Sequence, residues 1–278
     1  MNSTSPDLGY LLGSSEREHK RLERQARTLA SYTERLFRDA GVCAGQNVLD
    51  VGSGVGDVAL LAASIVGETG RVVGIDRDPV ALEKARSRTR AARVMHLRFV
   101  ETELPELRLD GQFDAIVGRF VLLFLPDATA ILRALATRLR PGGLLAFQEP
   151  SWDSFFAQAQ HLPLHSACGR LICETLRRGG ARPNMELTLY HGLLDSGFQA
   201  PQMRVEVPMA NDPEGRQWVY DLLVTMRTQF GQLGVVSDVG DFDTLSHRLG
   251  QELEAKRSYA PLIGLVGAWA RKPDLPPG

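Results

Sequence analysis

The spacing of apolar and polar positions changes rhythm several times along this chain, and each change marks an element. Over residues 14–40 the apolar positions Leu22, Ala26, Leu29, Ala30, Leu36 and Phe37 recur at three- and four-residue steps, which predicts a long amphipathic helix. Ser14 or Ser15 is placed to cap its start and Gly41 to end it. Up to about Leu12 the chain is loose in pattern, with Gly, Ser and Pro. Short apolar runs then alternate with helical stretches. Strands are predicted over residues 47–51, 71–76, 97–101, 113–119 and 144–148. Between them, helices are predicted over 57–66, from Pro79 onward, and over 128–139. Gly67 closes the first helix, Asp78 caps the second, and Pro141-Gly142-Gly143 stops the third. Strands alternating with helices imply a parallel sheet covered on both faces.

After Pro150 the rhythm shifts. Helices are predicted over 162–179 and 186–196, a strand over 202–208, mostly two helices over 211–257, and a last strand over 261–270. That makes seven strands. The long stretch between the last two reads as a lid, because long insertions in compact domains serve binding. The expected organisation is an N-terminal helical cover over 1–40 and a core domain over 41–278, with helical cap insertions at about 151–197 and 211–258.

Composition narrows the classes. A formal net charge of -1 over 278 residues argues against a nucleic-acid-binding surface. The basic run from Arg17 to Arg27 is interleaved with Glu16, Glu18 and Glu23 and reads as a solvated helix face. No apolar run is long enough to span a membrane, and no signal-peptide core opens the chain. The cysteines Cys43, Cys168 and Cys173 are too sparse for a disulfide framework or a structural zinc site, so a reduced, cytoplasmic setting is expected.

The chemistry concentrates at Val48-Leu49-Asp50-Val51-Gly52-Ser53-Gly54-Val55-Gly56-Asp57, where an apolar run ends in a turn with a glycine at every second position. Bare backbone lets the chain bend sharply and a ligand lie against it. Asp76 ends the next strand, where a carboxylate would accept both hydroxyls of a ribose; its alternative, capping the following helix, suits Asp78 better. Dinucleotides and S-adenosylmethionine both use such an arrangement. The dinucleotide fingerprint wants a third glycine where this chain has Asp57, and a carboxylate there would repel a pyrophosphate. A zwitterionic amino-acid tail beside a sulfonium meets no such objection.

Asp50-Val51-Gly52-Ser53-Gly54-Val55-Gly56 resembles the first motif of the class I S-adenosylmethionine-dependent methyltransferases. Val72-Val73-Gly74-Ile75-Asp76 resembles their second motif, Phe113-Asp114-Ala115-Ile116-Val117 the fourth-strand motif, and Leu139-Arg140-Pro141-Gly142-Gly143-Leu144-Leu145 the turn into the fifth strand. Order and spacing match over about residues 40–150, in the manner of the ubiquinone-type and natural-product branch. The resemblance implies a Rossmann-like, seven-stranded, mostly parallel α/β sheet with helices on both faces. It implies S-adenosylmethionine as cofactor and S-adenosylhomocysteine as product. By position, Asp50, Gly52, Ser53, Gly54 and Gly56 would surround the methionine portion, Asp76 the ribose, and Arg77 the adenine. The segment after the third strand departs from the family pattern, so Glu103 with Leu104, or Glu101 instead, would meet the adenine. Arg119 would hold the cofactor carboxylate or an anionic substrate group, or else pair with Asp127. Tyr10 and Gln25 would reach the cofactor from the N-terminal cover or simply pack.

Methyl transfer is an in-line displacement governed largely by positioning, and an oxygen or nitrogen acceptor also needs a base. Candidate bases follow the fifth strand: Glu149, Asp153, His161 and His165, with His191 a core histidine or a further candidate. Pro163 between His161 and His165 and the want of a third ligand speak against a metal. Trp152, Phe155, Phe156, Trp218, Leu222, Met226 and Phe230 would wall an apolar substrate pocket or form a helix–core seam. The expected activity is methyl transfer to an O, N or C atom of a small, partly hydrophobic substrate. A nicotinamide-dependent oxidoreductase, and a cyclase or binding protein of methyltransferase fold, are the alternatives. The expected partner is that small molecule, with a homodimer left open.

Overall fold

The structure, a computed structural model, describes residues 16–106, 109 and 111–274. The chain runs through α1 (Glu16–Ala40), β1 (Asn47–Val51), α2 (Asp57–Val66), β2 (Arg71–Asp76), α3 (Pro79–Ala91), β3 (Leu97–Glu101) and β4 (Phe113–Arg119). It continues through α4 (Ala128–Thr137), β5 (Leu139–Ser151), α5 (Trp152–Gln158), α6 (Pro163–Arg178), α7 (Glu186–Asp195) and β6 (Gln202–Glu206). The remaining elements are β7 (Met209–Ala210), α8 (Pro213–Arg216), α9 (Trp218–Thr225), α10 (Arg227–Gln232), α11 (Leu245–Ala255), β8 (Ala260–Pro261) and β9 (Gly264–Arg271). They form two compact units. Among the described residues, one gathers 26–149, 185–206 and 266–274; the other gathers 16–25, 150–184 and 207–265.

That unit is built on a seven-stranded sheet in the order β3-β2-β1-β4-β5-β9-β6, with β1 parallel to β2 and β4, β2 to β3, and β4 to β5. Strand alternation decides which face each side chain joins. Val48, Ala115, Val117, Leu144 and Ala146 pack with Ala59, Ala62 and Ala63 of α2. Leu49, Val51, Ile116, Leu145 and Phe147 pack with Leu132 and Leu135 of α4 and Leu189 and Leu193 of α7. Both faces are dry, which is why these strands read as continuous apolar runs. The strand order reverses between β1 and β4, and in open α/β sheets ligands bind beyond the carboxyl ends of strands at such a point.

Two expectations are corrected here. The turn predicted at Pro141–Gly143 lies inside β5, which starts at Leu139 and shifts its register on β4 between the Phe113–Leu139 and Ala115–Leu144 pairs. Gly142, at φ 71°, takes the kink, and backbone bonds Gly142 N–H to Lys272 O (3.1 Å) and Lys272 N–H to Gly143 O (2.7 Å) keep the chain paired. The stretch predicted as mostly two helices over 211–257 is four, α8 to α11. Helix α10 ends because Gly234 turns left-handed at φ 63° and Val235 N–H returns to Phe230 O at 2.8 Å.

In the other unit α6 packs against α5, α9 and α11, and β7 pairs antiparallel with β8. Two helix starts here are capped from far along the chain. Asn184 Oδ1 accepts the amides of Trp152 (2.7 Å) and Asp153 (3.0 Å) at α5, and Glu252 accepts those of Leu164 (2.7 Å) and His165 (3.1 Å) at α6. Among the described residues no helix is long and apolar enough to cross a membrane.

The segment after β4 is fixed by the end of β5. Phe120 sits left-handed at φ 57° and donates to Gln148 O at 2.9 Å. The next three amides converge on Glu149: Val121 and Leu122 donate to Oε1 (3.0 and 2.9 Å) and Leu123 to Oε2 (3.3 Å). Burial outweighs these three bonds and raises the Glu149 pKa from 4.5 to about 7. Folding therefore favours the protonated form. The stabilisation from this group is complete below about pH 4.5 and is lost as pH rises through about 7, an effect of up to about 3 kcal/mol. The melting temperature of the native protein should fall between pH 5 and pH 8 more steeply than that of Glu149→Gln, which keeps an acceptor for Val121 and Leu122 but does not titrate. Parallel melting curves across that range would contradict the burial argument.

Candidate active site

The turn after β1 is shaped by what touches each glycine. At Gly52 (φ 66°) a Cβ would lie 2.4 Å from Val121 Cγ2, so the segment after β4 packs on bare backbone. At Gly54 (φ 50°) a Cβ would meet nothing within 4 Å: this position faces open space. The turn is stitched by Ser53 N–H to Ile75 O (2.8 Å) and Gly56 N–H to Ser53 O (2.8 Å). Asp76 completes it: Oδ2 accepts from Gly54 N–H at 2.8 Å and Oδ1 from Asp78 N–H at 2.9 Å. Asp78 in turn caps α3 through the Val80 and Ala81 amides, as its position before Pro79 predicts. Each Asp76 oxygen keeps a further lone pair.

Asp50 is the anomaly of the strand. It is fully buried, and neither carboxylate oxygen has a hydrogen-bond partner among the described residues. Burial drives its pKa well above the usual carboxylate range, with Arg119 and the nearby Ala59 amide opposing and Asp76 and Asp57 adding to the rise. Buried polar atoms are almost always partnered, so an orphaned carboxylate calls for a donor or a cation from outside the fold. Ser53 Oγ is likewise buried without a partner.

Arg119 ends β4, partly buried. Its NH1 donates to Thr33 Oγ1 at 3.0 Å, and that is its side-chain hydrogen bond among the described residues. Burial lowers its pKa, while Asp57 and Asp50 raise it. Asp127, the other partner weighed for it, instead caps α4 through the Ala130 amide at 2.8 Å. Asp57 is held by Arg88 (2.6 Å), which also donates to Val55 O at 2.7 Å. That ion pair offsets part of the charge that was to repel a pyrophosphate, so the orphaned Asp50 is the stronger argument for a cationic ligand group.

The structure brings Arg77 and Glu103 together beyond β2 and β3, 3.9 Å apart and largely exposed, with Leu104 half-buried behind them. Glu101 pairs in register with Asp76. Tyr10 lies outside the described residues. Gln25 belongs to the other unit and accepts from Arg21 NH1 at 2.8 Å. Thr33 and Gln148 were missed. Each is a buried polar residue on an apolar face, the one beside Leu29, Leu36 and Phe37 of α1, the other closing the apolar run of β5, and that contrast was the available signal.

The candidate bases part company. Glu149 accepts the backbone amides of Val121, Leu122 and Leu123 and holds the segment after β4. His161 is exposed and contacts Ser258 Oγ at 2.9 Å. His165 is buried, its Nδ1 2.7 Å from Glu252 Oε2; burial lowers its pKa against the opposing pull of Glu252. The two histidines do not converge, and no group of metal-ligating side chains is assembled among the described residues. Asp153 is exposed and bound to Asn184 Nδ2 at 2.7 Å. His191 is exposed on α7, not a core residue. The aromatic residues gather as the spacing suggested. Trp152 lies 5.1 Å from Phe155, 6.5 Å from Phe156 and 5.9 Å from Trp218, ring centre to ring centre, and Met226 is fully buried.

Comparison with known proteins agrees with this geometry. A family model described as a methyltransferase domain matches residues 43–191. Aklanonic acid methyltransferase DauC of Streptomyces sp. (strain C5) is 38% identical over 108 residues, 38% of this chain and 49% of DauC. Demethylmenaquinone methyltransferase of Staphylococcus aureus (strain MRSA252) is 33% identical over 121 residues, 43% of this chain and 49% of that enzyme. The chain spans about half the length of the curated relatives it matches. The YcgJ protein of Bacillus subtilis shares the fold at a TM-score of 0.59 and 15% identity, over 87% of this chain and 99% of that one. A family model covering more than half of the chain, laid over the glycine turn, Asp50 and Asp76, shows that the chain belongs to the methyltransferase domain family.

Proposed function

We propose that this protein is an S-adenosylmethionine-dependent methyltransferase acting on an O, N or C atom of a small, partly hydrophobic organic molecule. The observation that carries the reading is the orphaned, buried carboxylate of Asp50 beside a turn whose Gly54 faces open space. S-adenosylmethionine, when bound, supplies a methyl group on a sulfonium with a neutral leaving group. The residues present suit its parts. Asp50 would receive the ammonium, Arg119 the carboxylate and the spare lone pairs of Asp76 the ribose hydroxyls, while the bare backbone at Gly54 admits the chain between them. Ser53 Oγ, Gly52 and Gly56 complete the cradle, and Arg77 with Glu103 and Leu104 would flank the adenine.

The acceptor class is supported by the names of the relatives, which give aklanonic acid and demethylmenaquinone as their substrates. Trp152, Phe155, Trp218 and Met226, the expected apolar wall, are almost wholly buried, with Trp152 packed against Phe155 and Trp218. Of the candidate bases, His165 is the one whose ring is oriented by a carboxylate, Glu252 Oε2 at 2.7 Å from its Nδ1. A reducing cytoplasmic setting is supported by Cys168 and Cys173, both free, buried and with thiols pushed up to about 12.

Calorimetric titration with S-adenosylhomocysteine and with NAD(P) tests the cofactor; binding of NAD(P) alone would overturn the reading. Asp50→Asn should weaken S-adenosylhomocysteine by about tenfold or more while leaving the melting temperature of the ligand-free protein unchanged or higher, because it replaces a buried acid without a hydrogen bond by a neutral group of the same shape. A purely structural Asp50 would lower the melting temperature instead.

A further inference from the structure

The Thr33 hydroxyl and the Gln148 side chain have no place in the reading so far, yet both are almost wholly buried in an apolar setting. Their hydrogen bonds run in one direction. Arg119 NH1 donates to Thr33 Oγ1 at 3.0 Å, and Thr33 Oγ1 donates to Gln148 Oε1 at 2.7 Å. A hydroxyl has one proton and two lone pairs. Leu29 O, at 3.2 Å, competes for that proton, but Gln148 Oε1 is nearer. With the proton committed to Gln148, the hydroxyl oxygen turns its lone pairs toward the guanidinium.

We infer that Thr33 and Gln148 are positioning residues: they pin one corner of the Arg119 guanidinium so that its remaining N–H donors face outward as a fork for the carboxylate of the cofactor's amino-acid tail. This rests on the proposed function and goes beyond it. Arginine is long and rotamer-rich, and its planar fork binds a carboxylate well only when its plane is set. Fixing a single N–H through a buried relay sets the plane and leaves the opposite edge unspent. The main chain reinforces the geometry, since Phe120 N–H, next in sequence to Arg119, donates to Gln148 O at 2.9 Å. Gln148 thus holds the end of β4 by its backbone and Arg119 through Thr33 by its side chain. Asp50 and Asp57 lie within electrostatic reach of Arg119 but neither is hydrogen-bonded to it, so the guanidinium is held beside carboxylates without being consumed by them.

The test compares S-adenosylmethionine with decarboxylated S-adenosylmethionine, which keeps sulfonium, amine and nucleoside but lacks the carboxylate. Their dissociation constants are measured for the native protein, Thr33→Val and Thr33→Ser. The native protein should prefer the carboxylate-bearing ligand by at least tenfold. Thr33→Val, of the same shape without the hydroxyl, should shrink that preference at least fivefold with little change for the decarboxylated ligand, and Thr33→Ser should restore it. Should Thr33→Val fold poorly, Gln148→Met, which removes the acceptor of the Thr33 proton, is read by the same ratio. An undiminished preference in the folded variants overturns the relay. Equal binding of both ligands by the native protein removes Arg119 from the carboxylate while sparing the cofactor assignment. Binding of neither ligand overturns the cofactor assignment itself, and the relay with it.

Discussion

The carboxylate of Asp76, 2.8 Å from the Gly54 amide, is the contact on which the site depends. It ties the end of β2 to the turn after β1 and satisfies the Gly54 amide. Because it does so with one lone pair per oxygen, the same carboxylate still has acceptors to offer a ligand. The second carboxylate contact, to Asp78 N–H, sets the start of α3. Strand end, glycine turn and helix start are thereby one unit of structure, and neighbouring parts are referred to it.

Around this contact the fold stores charge where an ordinary core would not. Among the described residues, the buried Asp50 oxygens have no hydrogen bond, buried Glu149 accepts from backbone donors, and partly buried Arg119 makes one side-chain hydrogen bond. Each of these departures weakens the folded state, and all lie on β1, β4 and β5 or at their ends. The second unit places its buried charge differently: Glu252 is spent on the start of α6 and on His165. A carboxylate fully employed by backbone and imidazole holds a helix and a ring in place, whereas a carboxylate with nothing to hold awaits a ligand.

Much of the sheet-bearing unit was legible in the sequence because its determinants are local. The strands β1 to β4 and helices α2 and α3 follow from apolar runs, the Asp78-Pro79 cap and Gly67, each acting within a few residues of where it stands. The glycine turn and Asp76 were legible for the same reason. The kink in β5 was not, since whether Pro141-Gly142-Gly143 ends a strand or bulges within it depends on Lys272, which is distant in sequence. Helix α5 was invisible because its amides are capped by Asn184 rather than by a neighbour alone. The relay from Arg119 through Thr33 to Gln148 joins α1, β4 and β5, and no spacing rule connects them.

By itself, then, the sequence determined the alternating elements, the left-handed glycine turn and the acids at two strand ends, because dihedral freedom, side-chain period and capping are properties of short segments. Tertiary structure alone decided the employment of each charged group. Among the described residues it left the Asp50 oxygens without a hydrogen bond, set three backbone amides on Glu149, paired His165 with Glu252 and gave Arg119 a buried hydroxyl to lean on. The physical reason is that burial and hydrogen-bond partnership depend on which distant segments meet, and a side chain's chemistry follows from its surroundings as much as from its identity.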